Sequence, residues 1–312
     1  MKILITGIHG FVGSNLVKAL KDEHTIYGLD IVAPEKEGVV KTFSWKDMEN
    51  GNIPPVDAVI NLVAKAHDLK HIVSPQTYFD VNYGLTVRTY EWFLQSGTRK
   101  FIHFSSVKAA AESVPGDMLT EDIVPTPEGP YGESKIKAEE YIQDSGYESM
   151  PDKSVYVLRP CMIHGPGNKG NLNLLYGWAK KGLPWPLGSF ENHRSFTSVG
   201  NLCFIIAQLL TRDIASGIYN VGDDEALSTN ELIEIIGMAM GKRQHIWHLP
   251  KWMMKTCARI GDFFHLPLNS ERLTKLTENY VVSNAKLKHA LGIERMPIRA
   301  KDGLTRTIQV FD

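Results

Sequence analysis

Three side chains have the types needed for acid–base work at a hydroxyl-bearing carbon. Tyr131 and Lys135, in Pro130-Tyr131-Gly132-Glu133-Ser134-Lys135, stand four residues apart, which puts both on one face of a helix. A tyrosine hydroxyl titrates near ~10 in water, too high for a base at neutral pH. A neighbouring ammonium favours the tyrosinate, and a bound cation would favour it further. Tyr131 could then take a proton from a hydroxyl as hydride leaves the same carbon. Ser106, in Phe104-Ser105-Ser106, could orient that oxygen and relay the proton. A plainer role for the serine pair is a helix cap or turn. Tyr-x-x-x-Lys alone is common by chance, so the pair needs a hydride acceptor elsewhere in the chain to carry meaning.

The first thirty residues supply a site for one. An apolar run, Ile3-Leu4-Ile5, is followed by Gly7, Gly10 and Gly13, an amphipathic segment, and a second apolar run ending in Asp30. Gly7 permits the turn out of a strand, Gly10 lets the backbone approach a pyrophosphate, and Gly13 lets the helix pack against the strand. Phe11 and Val12, between the last two glycines, are counted with them as cofactor contacts. The helix N-terminus offers N–H groups and a positive dipole end to phosphates. Asp30 would accept hydrogen bonds from the adenosine ribose. It also repels a 2′-phosphate, and no arginine follows closely, so NAD is expected rather than NADP.

These residues must be positioned by a sheet. Apolar runs at 3–5, 26–29, 57–63, 101–104 and 154–158 alternate with helical stretches near 12–22, 75–95 and 130–145. That alternation predicts α/β architecture, a Rossmann-like doubly wound parallel sheet. Residues 1–165 are expected to form the NAD-binding domain, with some later segments returning to it. Residues 166–312 are expected to form a smaller α/β substrate-binding domain. Parallel sheets bind ligands at the carboxyl ends of their strands, which singles out the residues just beyond each run. After Phe43 come Asp47 and Met48, an adenine contact or a solvated loop. At the end of 57–63 come Leu62, Ala64 and His67, the histidine more often a structural residue than a catalytic one. Asn82 opens the helical stretch 81–94, and residues 107–129 read as a loop able to cover the site.

Composition narrows the class. The 312 residues carry 34 basic and 35 acidic side chains, a net charge of −1, which gives no nucleic-acid footprint. Cys161, Cys203 and Cys257 are far apart; they make no zinc spacing and fit a reducing compartment. No signal peptide and no membrane span are expected, because a nucleotide-binding strand begins at residue 2 and no apolar run reaches ~18 residues. A cytoplasmic enzyme is the expectation.

TGIHGFVG, Asp30, NLVAKAH, the FSS at 104–106, YGESK and Arg159-Pro160 with Gly165-Pro166-Gly167 together resemble the extended short-chain dehydrogenase/reductases. They resemble in particular the nucleotide-sugar epimerase/dehydratase branch, in register to about residue 200. The resemblance implies pyrophosphate on the three glycines, adenosine ribose on Asp30 and adenine at Asp47 and Met48. It implies that Leu62, Ala64, Asn82 and Pro160 line NAD, that Lys135 grips the nicotinamide ribose, and that Ser106, Tyr131 and Lys135 are catalytic. Three departures stand out. Val107-Lys108-Ala109-Ala110-Ala111 replaces a Tyr-Gly. Val107 and Lys108 replace the acids that a 4,6-dehydratase needs to protonate its leaving hydroxyl, which argues against dehydration. His164 replaces a tyrosine and would be a nicotinamide contact.

The second half holds the expected substrate residues. The resemblance makes Asn171 a sugar-nucleotide diphosphate ligand. Gly182 to Gly188 is a proline-fixed segment, a linker or a backbone surface for a uracil edge. Arg194 has the fork that matches phosphate oxygens, and Arg272 is a second clamp. Residues 228–240 read as a helix capped by Ser228 or Thr229. In 246–266, Lys251, Lys255 and Arg259 recur every fourth residue beside an apolar face, a packed helix or an interfacial membrane helix. The implied substrate is a nucleotide sugar, UDP-linked. A 4-epimerase and a 4-keto-sugar reductase would use the same residues, and Asp30 leans toward the epimerase. A nucleotide sensor would be expected to lack the Tyr or Lys. The resemblance also implies a homodimer through the helices after Asn82 and Tyr131.

Overall fold

The computed structural model describes residues 1–66, 74–168, 171–264 and 268–311. Seven parallel strands form the central sheet in the order β3-β2-β1-β4-β5-β6-β9. They are β1 (Lys2–Thr6), β2 (Thr25–Leu29), β3 (Val39–Phe43), β4 (Ala58–Asn61), β5 (Lys100–Phe104), β6 (Ser154–Pro160) and β9 (Gly217–Val221). β7 (Met162–His164) and β8 (Phe196–Ser198) pair separately.

The continuous apolar runs are buried on both faces because alternate side chains enter opposite cores. Ile3 and Ile5 join Ile60, Ile102, Phe104, Tyr156 and Leu158 on one face, under the helices Phe11–Leu20 and Val199–Thr211. Leu4 joins Val59, Phe101, Val155 and Val157 on the other, with Tyr90 and Phe93 of the Leu85–Gln95 helix. Strand order reverses between β1 and β4, so a crevice opens at their carboxyl ends. The chain returns to this sheet late, since β9 pairs with β6.

A further core gathers Leu172, Ile233, Ile236, Met254 and Leu304 from the later helices with Trp185 from the extended segment between them. Ser228 caps the Thr229–Ala239 helix: its Oγ accepts from Glu231 N at 3.0 Å, and Glu231 Oε2 accepts from Ser228 N at 2.7 Å. The periodicity anticipated one helix over 75–95. The chain makes a π turn over Phe79–Gly84 instead, between helices Pro75–Tyr78 and Leu85–Gln95. Such an insertion re-aims side chains and is frequent at functional sites.

Candidate functional site

The glycine turn is tight where a cofactor phosphate would come close. Gly7 has φ +66°, and a Cβ there would stand 3.3 Å from the Val63 backbone. A Cβ on Gly13 would lie 2.7 Å from both the Gly7 and Ile8 carbonyl oxygens, so the helix Phe11–Leu20 starts against the turn only because no side chain intervenes. A dinucleotide fits this cradle. Phe11 backs it, with its ring 3.5 Å from where a Cβ of Gly165 would stand, and Val12 packs against the sheet core. At the end of β2, Asp30 Oδ2 accepts from His9 N at 3.1 Å and Oδ1 from Ile31 N at 2.7 Å, which aims its carboxylate along the rim.

Asp47 has a local job. Its Oδ2 accepts from Ser44 N at 2.9 Å and from Ser44 Oγ at 2.6 Å, a capping box for the helix Trp45–Glu49. These bonds hold its pKa low, and Met48 is buried beneath the turn. Lys36 was not anticipated. It folds back so that Nζ donates to the Ile8 carbonyl at 3.0 Å and to Ser14 Oγ at 2.7 Å. Burial lowers its pKa while the charge of Asp30 raises it. Its loop position, six residues past Asp30, has no periodic signal.

Residues 62–64 pass beside Gly7. Thr6 Oγ accepts from Leu62 N at 3.0 Å and Val63 N at 3.1 Å, and donates to Asn61 Oδ1 at 2.8 Å. Leu62 is half-buried and Ala64 exposed, facing the crevice side of this network. Asn82, fully buried in the π turn, accepts from Lys65 N at 2.7 Å and donates to Ser134 Oγ at 2.9 Å. It clamps this segment to the helix that carries the Tyr–Lys pair. His67 lies outside the described residues.

That helix is Gly129–Asp144. Lys135 is buried, and its Nζ donates to the Phe104 carbonyl at 2.7 Å, at the end of β5. Burial pulls its pKa down to about 8, against the opposing charge of Glu139. Burial raises the Tyr131 pKa, while its hydrogen bond with Ser106 lowers it. Ser106 also accepts from Lys108 N at 3.2 Å and caps the short helix Val107–Ala110. The capping and catalytic expectations for this serine are therefore compatible.

Beneath the pair lies an ion pair that sequence reasoning missed. Arg159 donates to both carboxylate oxygens of Glu139, at 2.6 to 3.1 Å, and Ser105 Oγ donates to the same carboxylate. Glu139, Arg159 and Ser105 are all buried. Glu139 lies four residues beyond Lys135, and that spacing is the signal that could have found it. Pro160 ends β6 beside Val221 of β9.

His164 does not behave as a cofactor contact. Its Nδ1 lies 2.9 Å from Thr307 Oγ and its Nε2 3.6 Å from Asp223, all in a fully enclosed cluster. A short strand paired with β8 turns this ring into the interior.

Across the crevice, Arg194 donates to the Lys275 carbonyl, and its Nη2 lies 3.7 Å from Glu278. Partial burial lowers its pKa, and Glu278, Tyr280, Cys161 and Glu112 raise it. Glu112 belongs to the segment after Ser106 and pairs with Lys108 at 3.0 Å. The fold thus brings Arg194 toward the loop that follows Ser106. Tyr280 closes the link, donating to the carbonyls of Val107 at 3.2 Å and Ala111 at 2.7 Å. Arg272 is exposed on the helix Ser270–Thr277 whose Lys275 carbonyl holds Arg194. The backbone of Asn171 opens the helix Asn171–Lys180; its side chain lies outside what is described.

A UDP-glucose 4-epimerase of Vibrio cholerae is 30% identical over 99% of this chain and 95% of its own length. An N-acetyl-α-D-glucosaminyl-diphospho-ditrans,octacis-undecaprenol 4-epimerase of Escherichia coli O157:H7 is 26% identical, over 98% of this chain and 94% of its own. The UDP-glucose 4-epimerase of Thermus thermophilus, solved in complex with NAD, has a TM-score of 0.74 at 25% identity. That likeness covers 99% of this chain and 98% of that one. Residues 3–222 match the family described as NAD dependent epimerase/dehydratase. The match runs from β1 to the end of β9 and takes in the glycine cradle and the Tyr–Lys pair, so the chain belongs to the NAD dependent epimerase/dehydratase family and takes NAD as its cofactor.

Proposed function

We propose that the protein is a 4-epimerase of a UDP-linked hexose or N-acetylhexosamine, working through a 4-keto sugar in the synthesis of cell-surface polysaccharide. The observation that carries this reading is the approach of Ser106 to Tyr131, close enough to perturb its hydroxyl, with Lys135 one helical turn on and bonded to the end of β5. NAD, held by Gly7, Gly10 and Gly13, would supply the acceptor and donor of the sugar's hydride. Tyr131 takes the hydroxyl proton from the sugar's C4 oxygen as that carbon is oxidised, and gives it back on reduction. Ser106 holds the same oxygen by hydrogen bond. Lys135 supplies the positive charge that favours tyrosinate. The keto sugar turns over between the two half-reactions, so C4 inverts and nothing is consumed.

Arg194, Arg272 and Asn171 are assigned to the diphosphate. The guanidinium of Arg194 matches phosphate oxygens and sits beside the loop that follows Ser106. Asp30 is assigned to the adenosine ribose, and Asp47 and Met48 to the adenine. Dehydration is disfavoured, because Val107 and Lys108 follow the serine and Lys108 is committed to Glu112. Three free cysteines support a cytoplasmic setting. A homodimer through Leu85–Gln95 and Gly129–Asp144 completes the proposal.

A second reading keeps the chemistry and changes the carrier: a polyprenyl diphosphate in place of UDP, as in the name of the Escherichia coli relative. It is favoured by the exposed apolar residues of the helix Lys251–Phe264, which adjoins the helix bearing Arg272. The test is to incubate the pure protein, without added cofactor, with UDP-glucose, UDP-N-acetylglucosamine and a polyprenyl-diphosphate-linked N-acetylglucosamine, and to follow C4 inversion. Inversion of either UDP-sugar supports the first reading. Inversion of the lipid-linked sugar alone supports the second. Turnover only with added NADPH and a 4-keto sugar would replace both by a reductase.

A further inference from the structure

The helix Lys251–Phe264 has apolar residues on two opposite sides. Its buried residues are Met254, Ala258 and Gly261. Gly261 lies so close to the Leu268 carbonyl that a Cβ would stand 1.8 Å from its oxygen, so this face is pressed against the protein. At about 100° per residue, the side opposite that stripe carries Trp252, Thr256, Ile260 and Phe263. Trp252 is 70% exposed, Ile260 49%, Phe263 78% and the adjoining Phe264 64%. The last two rings pack edge to face at 5.0 Å. Trp247, just before the helix, is also exposed.

Single exposed apolar residues are ordinary on a protein surface; several large ones gathered along one helix side mark an interaction site. A basic flank runs beside the row. Lys251, Lys255 and Arg259 are all exposed, and among the described residues none of them forms a salt bridge. The helix's one acid, Asp262, is spent on Ser270, whose N and Oγ donate to it at 2.9 and 2.5 Å. The chain as a whole carries a charge of −1, so the cationic flank is local.

An apolar aromatic row edged by cations without a carboxylate partner is the pattern of a helix lying in a lipid headgroup layer. A second copy of the chain, meeting this face about a two-fold axis, would offer the same three cations and no free acid of the helix to answer them. Anionic headgroups answer all three. The helix spans roughly 21 Å, shorter than the ~30 Å hydrocarbon core, and no described helix is long and apolar enough to cross a membrane.

We propose that Lys251–Phe264 docks the protein on an anionic bilayer surface, with Trp252, Ile260 and Phe263 in the interface and Lys251, Lys255 and Arg259 at the level of the phosphates. The docked helix is tied through Asp262 to Ser270–Thr277, and Lys275 there holds Arg194, so the two features share one support. The inference stands whichever diphosphate carries the sugar.

The test is co-sedimentation of the full chain with vesicles of phosphatidylcholine alone, or with about a third phosphatidylglycerol. The expected result is binding to the anionic vesicles only, reversed by ~0.5 M salt. Trp252→Ser/Phe263→Ser and Lys255→Glu/Arg259→Glu should each lower the bound fraction by about ten-fold or more, while NAD binding and thermal stability stay unchanged. No vesicle binding at low salt overturns the proposal, as does binding that survives both double substitutions. A dimer in solution that the same substitutions dissociate, with vesicles ignored, reassigns the face to a second copy.

Discussion

The two walls of the crevice are held in different ways. On the wall that carries Tyr131 and Lys135 the charged groups are committed to buried partners. Lys135 rests on the Phe104 carbonyl, and Glu139 is gripped by Arg159 with both oxygens. On the opposite wall, Arg194 is partly exposed and holds a main-chain carbonyl and a partly exposed glutamate at 3.7 Å. Proton transfer needs its groups placed before the substrate arrives, since small displacements cost large factors in rate. A diphosphate clamp must instead exchange partners on binding, and a partly solvated ion pair costs little to break. Rigidity on one side and replaceable contacts on the other fit the two roles proposed, proton transfer at Tyr131 and diphosphate binding at Arg194.

Three substitutions probe that contrast, from the largest effect down. Tyr131→Phe removes the proton acceptor and leaves the ring in place. It should lower turnover by on the order of 10²- to 10⁴-fold, with NAD affinity, read by fluorescence titration, nearly intact; retained turnover would remove the tyrosine from the mechanism. Glu139→Ala strands a buried guanidinium. It should cost about 3–5 kcal/mol of stability in urea unfolding, and a loss below ~1 kcal/mol would mean the ion pair is not what braces the wall that carries Tyr131 and Lys135. Arg194→Ala should weaken UDP binding by roughly 2–4 kcal/mol while melting near the wild-type temperature. Unchanged UDP affinity would move the clamp elsewhere, and a large drop in melting temperature would make Arg194 a bracing group like Arg159.

Much of the local structure around the glycine turn and the Tyr–Lys pair could be read without coordinates. Gly7, Gly10, Gly13 and Asp30 follow from local needs, a turn, a close approach and a strand end, which short stretches of chain express in full. Tyr131 and Lys135 share a face because helical geometry is local. The π turn at Phe79–Gly84 escaped notice because its insertion leaves the apolar rhythm on either side intact. The enclosure of His164 has no local signal, because its neighbours, Thr307 and Asp223, are 143 and 59 positions away.

By itself the sequence determined the strands, the cofactor cradle and the Tyr–Lys register, all set by backbone sterics and by periodicities of two and 3.6 residues. Only the tertiary structure decided which charges became permanent partners. It joined Glu139 to Arg159, folded Lys36 back onto the glycine turn, and set Arg194 near Glu112. It also chose which side of Lys251–Phe264 is buried, because a helix with apolar residues on both sides carries no local preference between them. Packing against Leu268 settled that, and left Trp252, Ile260 and Phe263 facing out.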